Sequence, residues 1–120
     1  MAVFYTTVGK QKVVDRVDGT QAGSNTDYIA QGTGAGGAGV GSTSLSTEAS
    51  EARVSATKSQ PAADTNQWQA TIVADGTKTI TNAGVFDAST SGNLLVIVDG
   101  LSILVATNDS IQFTFTLQQT

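Results

Sequence analysis

The cleanest periodicity in the chain lies at its C-terminal end. Over residues 111–118 apolar and polar side chains alternate without a break: Ile111, Phe113, Phe115 and Leu117 on one side, Gln112, Thr114, Thr116 and Gln118 on the other. A period of two marks a half-buried β-strand. Residues 67–74 repeat the pattern, with Trp68, Ala70, Ile72 and Ala74 facing in. Asp75-Gly76 is a turn signal and predicts a returning strand over residues 77–86. A plain two-residue turn would set Ile80 on the wrong face, so one bulge residue is expected at Gly76. A second Asp-Gly, Asp99-Gly100, separates residues 93–98 from 101–106. It predicts a type I′ hairpin pairing Val98 with Leu101, Val96 with Ile103 and Leu94 with Val105. Leu95 and Ile97 make its other face apolar too, so the hairpin needs cover on both sides, from its own chain or from a neighbour. Shorter strands are predicted over residues 27–31 and 53–59.

One segment has helical spacing. In residues 7–18, Val13, Val14 and Val17 share a face, while Lys10, Gln11, Asp15 and Arg16 can face water. Asp18-Gly19 then ends the helix, with glycine in the left-handed conformation. Thr47 could cap a single helical turn over residues 47–52. Residues 32–44 are rich in glycine and cannot bury side chains, so they read as a loop or a mobile arm. Residues 1–6 precede every predicted element and read as an N-terminal arm. The whole is one domain, 1–120, with its main β region at 53–118. The expected fold is mainly β: an antiparallel sandwich or jelly-roll-like barrel with one short N-terminal helix.

Composition narrows the chemistry. The 120 residues include no Cys and no His, which excludes thiol nucleophiles, Cys/His metal sites and imidazole catalysis. The net charge of −4 leaves no basic stripe for nucleic acid. Eighteen Thr and eleven Ser give a surface rich in small hydroxyls instead. No signal peptide is evident, and the longest apolar run, residues 94–98, is too short for a membrane helix. A cytosolic origin is therefore expected.

The candidate motifs read mostly as structure. Residues 34–39 match G-x-G-x-x-G, but no amphipathic helix follows to carry a phosphate site. The closest carboxylate pairs are Asp15/Asp18 and Glu48/Glu51. They would have to converge in a pocket with raised pKa to act as a hydrolase. Asn108-Asp109-Ser110 reads as a turn. Trp68, Phe113 and Phe115 read as core by alternation, and Tyr28 is the one candidate for stacking on a glycan. No catalytic residue, cofactor or metal ligand is assigned.

Residues 77–88, Gly92-Asn93-Leu94-Leu95 and 108–117, together with 28–34 and 47–54, resemble small structural proteins of tailed phages. The resemblance covers roughly residues 7–118 and departs from the pattern at 101–106, which is more apolar here. It implies a virion component without catalytic residues. One form is a head decoration (cement) protein, a jelly roll or small sandwich bound as a trimer to the major capsid protein on the outer surface of the shell. The other is a tail or fibre piece that could touch host glycan. The decoration role is the leading expectation, with stabilisation by binding only the assembled shell, about 2.7 kcal/mol per site at a hundredfold excess over Kd. Neither the arm nor the glycine-rich segment was expected to pack in its own domain. Val3, Phe4, Tyr5, Gly34, Gly36, Gly37, Gly39 and Val40 are therefore the candidate contacts with capsid or with other subunits, and deletion of residues 1–6 is expected to leave the fold intact.

Overall fold

The computed structural model describes residues 2–19 and 26–119. In chain order the elements are β1 (Ala2–Tyr5), α1 (Thr7–Asp18), β2 (Tyr28–Gly32), β3 (Val54–Ser55), β4 (Thr57–Ala62), β5 (Thr65–Val73), β6 (Lys78–Ile80), β7 (Asn82–Phe86), β8 (Leu94–Asp99), β9 (Ile103–Val105) and β10 (Ser110–Gln118). They form three antiparallel sheets, ordered β1-β8-β7-β2-β3, β10-β5-β4 and β6-β9. The fold is mainly β with one short helix, a sandwich of antiparallel sheets, as the alternation implied.

One buried cluster joins the sheets. Trp68, Ala70 and Ile72 of β5 and Phe113 and Phe115 of β10 meet Ile29, Val85, Val96 and Val98 of the five-stranded sheet. Ile80 and Val105 of the small sheet close the same cluster. Here β5 and β10 behave as alternating strands should, with Thr71, Val73, Gln112 and Thr114 exposed. The central strands of the large sheet differ. Every residue of β7, and all of β8 except Asp99, is buried. Their second face belongs to a smaller cluster of Ala30, Leu45, Phe86, Leu94 and Ile97.

The glycine-rich segment covers that second face and is not a free arm. Gly34 N–H donates to the Ser46 carbonyl (2.8 Å), and Thr33 N–H to that of Thr47 (2.9 Å). A Cβ on Gly34 would stand 2.1 Å from Ser46 Oγ and 2.6 Å from its backbone carbon. Glycine here permits close backbone contact. Residues 1–6 are not an arm either: β1 pairs with β8 from Ala2↔Asp99 to Tyr5↔Val96. Thr6 is fully buried, and its hydroxyl donates to the Leu94 carbonyl at 2.5 Å.

Both predicted hairpins are absent, for one reason. A strand has two edges, and those of β8 are taken by β1 and β7, leaving none for β9. Asp99 instead accepts from Gly100 N–H (2.8 Å) and Ala38 N–H (3.0 Å), and β9 pairs with β6. Likewise β5 is occupied by β4 and β10, so residues 77–86 cannot return along it, and the bulge expected at Gly76 has no ladder to serve. That segment breaks at Thr81, whose N–H donates to the Gly32 carbonyl (2.9 Å). The doubly apolar β8 is thus covered by its own chain. It offers no support for a neighbouring subunit.

The helix ends at Gly19 as expected, left-handed at φ 80°, and at its start Thr6 caps it by accepting from Gly9 N–H (2.9 Å). Its buried face is not the valine face. Gly9 and Lys12 are buried, while Val14 and Val17 are 55% and 84% exposed. A Cβ on Gly9 would lie 2.3 Å from the Leu95 carbonyl oxygen, so glycine sets the closest approach of helix to strand. No helical turn forms at 47–52. Thr47 has φ 50°, and Glu48 makes an isolated bridge with Gly32.

Candidate functional site

The helix, β4 and β5 enclose a cleft of about 400 Å³ lined by Tyr5, Lys12, Arg16, Asp27, Lys58 and Trp68, among others. Asp27 is its buried acid. Trp68 Nε1 donates to Asp27 Oδ2 (2.8 Å), and Lys58 Nζ lies 3.9 Å from the same oxygen. Arg16 stands 3.9 Å from Oδ1, which accepts no hydrogen bond among the described residues. Chemically this is a carboxylate held between an indole N–H and two cations. It ties α1, β4 and β5 together.

A second polar centre joins α1 to the loop after β7. Lys12 Nζ donates to Asp87 Oδ2 (2.9 Å), and both side chains are 8% exposed. Burial pushes the Asp87 pKa up. The Asn93 backbone N–H (2.7 Å), Lys12 and the Asn93 amide (2.9 Å) outweigh it and hold the carboxyl below its ordinary value. Gly92, at φ 76°, lets the loop close around this acid.

A third centre brings a hydroxyl and an amine together, as a serine–lysine nucleophile would require. Lys78 Nζ reaches Ser50 Oγ (3.2 Å), Asp75 Oδ1 (2.7 Å) and Glu51 Oε2. The electrostatics oppose catalysis. The Asp75 and Glu51 carboxylates raise the Lys78 pKa above its ordinary 10.5, so the amine stays charged and cannot act as a base at neutral pH. Lys78, followed by Ser50, holds Asp75 down at about 2. The cluster is an ion network that runs from the half-exposed Asp75 to the buried Glu51.

The sequence-based candidates distribute as follows. Glu48 accepts from Arg53 Nε (2.9 Å) and Nη2 (2.8 Å), whereas Glu51 belongs to Lys78 and Gln31. The two glutamates therefore do not act as a pair. Asp15 accepts from Gln11 one turn earlier (2.9 Å). Among the described residues no group of three or more acidic side chains gathers as a metal site, and no helix is long and apolar enough to cross a membrane. Residues 40–44 form no helix, so the glycine motif lacks the element that would present amides to a phosphate.

Of the candidate contact residues, Val3 is 57% exposed on the edge strand and Val40 is 54% exposed at the tip of the glycine-rich segment. Phe4 packs on the smaller cluster, and Tyr5 is half-buried with Lys10 Nζ 5.6 Å from its ring centre. Gly34 is pressed on Ser46, and Gly36 N–H donates to Ser46 Oγ (3.3 Å). Gly37 is left-handed at φ 96°, and Gly39 N–H donates to Ser42 Oγ (2.9 Å). The exposed and the internal members are thus interleaved. Tyr28, the candidate glycan platform, is half-buried on β2, and none of the seven aromatic rings is exposed.

Residues 5–117 match the family described as Podophage GP4 fiber I protein gp80. The chain belongs to this family. It is a structural protein of phage virions, and the family is not one of enzymes. The match spans almost the whole sandwich, from the end of β1 to β10. A comparison with curated proteins yields no match.

Sequence reasoning missed all three polar centres. Nothing local marked Asp87 as the partner of Lys12, or Trp68 as the partner of Asp27.

Proposed function

We propose that the protein is a structural component of a phage fibre. The observation that carries this reading is the fibre-protein family match over residues 5–117. The arrangement of side chains supports it. Lys78 and its carboxylates are all held in their charged forms, which suits ion pairing and not proton transfer. The low charge and abundant hydroxyls suit a domain that packs in an array. A glycan-stacking role has no exposed ring to rest on and is not part of the proposal.

The test is immunogold electron microscopy of intact particles, with an antibody raised against the purified chain. Label on fibres or their attachment points is the expected result. Label spread over the heads would overturn the proposal in favour of a capsid decoration role.

A further inference from the structure

The four outer strand edges of the two larger sheets are built differently. An unpaired edge invites another strand, and proteins guard edges with charge, proline, bulges or short length. The β3 edge is two residues long. The β4 edge carries Lys58, Pro61 and a register shift between Ser59 and Ala62. The remaining edges, β1 and β10, carry no charged residue, and neither contains a proline. They flank one groove of about 310 Å³, floored by Val98, Leu101, Ile103, Phe113 and Phe115 and rimmed by Val3. No residue lining it is ionisable, in a chain of net charge −4.

We propose that β10 is a self-association edge, pairing antiparallel with β10 of a second copy across a twofold axis through Thr114. The occupant follows from the strand's own pattern, which reads the same in both directions about that residue. Such pairing sets Phe113 opposite Phe115, Gln112 opposite Thr116 and Ile111 opposite Leu117 of the second copy. Directly opposed residues share a face, so apolar meets apolar and polar meets polar along the whole strand. Two three-stranded sheets become one sheet of six strands. The absence of charge lets two like-charged chains meet here without repulsion. The proposal concerns the purified chain and does not depend on where in the virion the protein sits.

The test is sedimentation velocity of the full chain over a wide concentration range, with two matched variants. Thr114 and Thr57 are both exposed and stand opposite Gln69 on its two sides, the first on the β10 edge and the second on the guarded β4 edge. A concentration-dependent dimer is expected for the wild type. Thr114→Lys sets two like charges face to face on the axis and is expected to raise the dimer Kd roughly tenfold, while Thr57→Lys leaves it unchanged. Because the chain has no cysteine, Thr114→Cys supplies a second readout that does not depend on how the lysine variant folds. A short thiol crosslinker is expected to capture it as a dimer and to leave Thr57→Cys monomeric. A wild type that stays monomeric throughout, a dimer indifferent to Thr114→Lys, an uncrosslinked Thr114→Cys, or a stoichiometry other than two would each overturn the proposal.

Discussion

Lys12 and Lys78 each close an ion pair between segments far apart in the chain, the first wholly buried and the second with one partner open to water. Lys12 and Asp87 are both 8% exposed and lie beneath a helix, where Asn93 completes the hydrogen bonding of the acid. Lys78, 14% exposed, meets Glu51, 5% exposed, on one side and Asp75, 51% exposed, on the other. A buried ion is costly when its partner is removed, whereas water and salt replace the partner of an exposed one. The same chemistry therefore ties α1 to the loop after β7 through a wholly buried pair, whereas on the β6 side only the Asp75 half of the network is open to water.

Deletion of residues 1–6 should break the comparison most completely. It removes β1 and the buried Thr6 cap and exposes the β8 edge, so loss of the cooperative thermal transition is expected; a truncated chain melting like the wild type would return these residues to the status of a loose arm. Next, Lys12→Ala strands Asp87 and should cost about 3–5 kcal/mol in denaturant unfolding. Adding Asp87→Asn to that variant should recover part of the loss, because the stranded charge is then gone. If Lys12→Ala melted within a degree of the wild type, the pair would not be buried as described.

Acid titration sharpens the contrast further. Asp87, Asp75 and Glu51 all have folded pKa values below their ordinary 3.8, 3.8 and 4.5. Groups depressed in the folded state bind protons more readily when unfolded. Their contribution is complete above the ordinary values and is lost as pH falls from there through the folded ones, to about 2 for Asp75. Thermal stability should therefore be level above about pH 5 and fall steadily below it. Salt near 1 M shortens the screening length to ~3 Å. It should shrink the exposed Asp75 part of this fall and spare that of buried Asp87, and an acid limb insensitive to salt would contradict the assignment of Asp75. The smallest effect is expected for Asp75→Asn, which leaves Lys78 paired with Glu51, a loss in Tm below about 4 °C. A larger loss would show that Asp75 holds the loop at Ser50 more firmly than its exposure implies.

Legibility in the sequence followed the range of the forces involved. The alternation of β5 and β10 was readable because one face meets the core and the other meets water. The C-terminal end of the helix was readable because Gly19 acts on neighbouring backbone, whereas the Thr6 cap at its start was not singled out. The helix face was misread because hydrophobicity points to Val13, Val14 and Val17, whereas contact with β8 is set by the missing side chain of Gly9. The glycine-rich segment reads as a loop or a mobile arm for a related reason. Glycines that permit close backbone contact at Ser46 look in a sequence like glycines that permit motion.

From the residues alone came the β class, the helix over 7–18 with its glycine stop, the inward set of β5 and β10, and the lack of thiol and imidazole chemistry. These rest on composition or on spacing within one element. Only the tertiary structure decided which strands pair, that residues 2–5 join a sheet, that Lys12 finds Asp87, and which two sheet edges remain unguarded. Each of these depends on competition for a strand's two edges or for a buried partner. Such competition is resolved among segments distant in the chain, and no local pattern records its outcome.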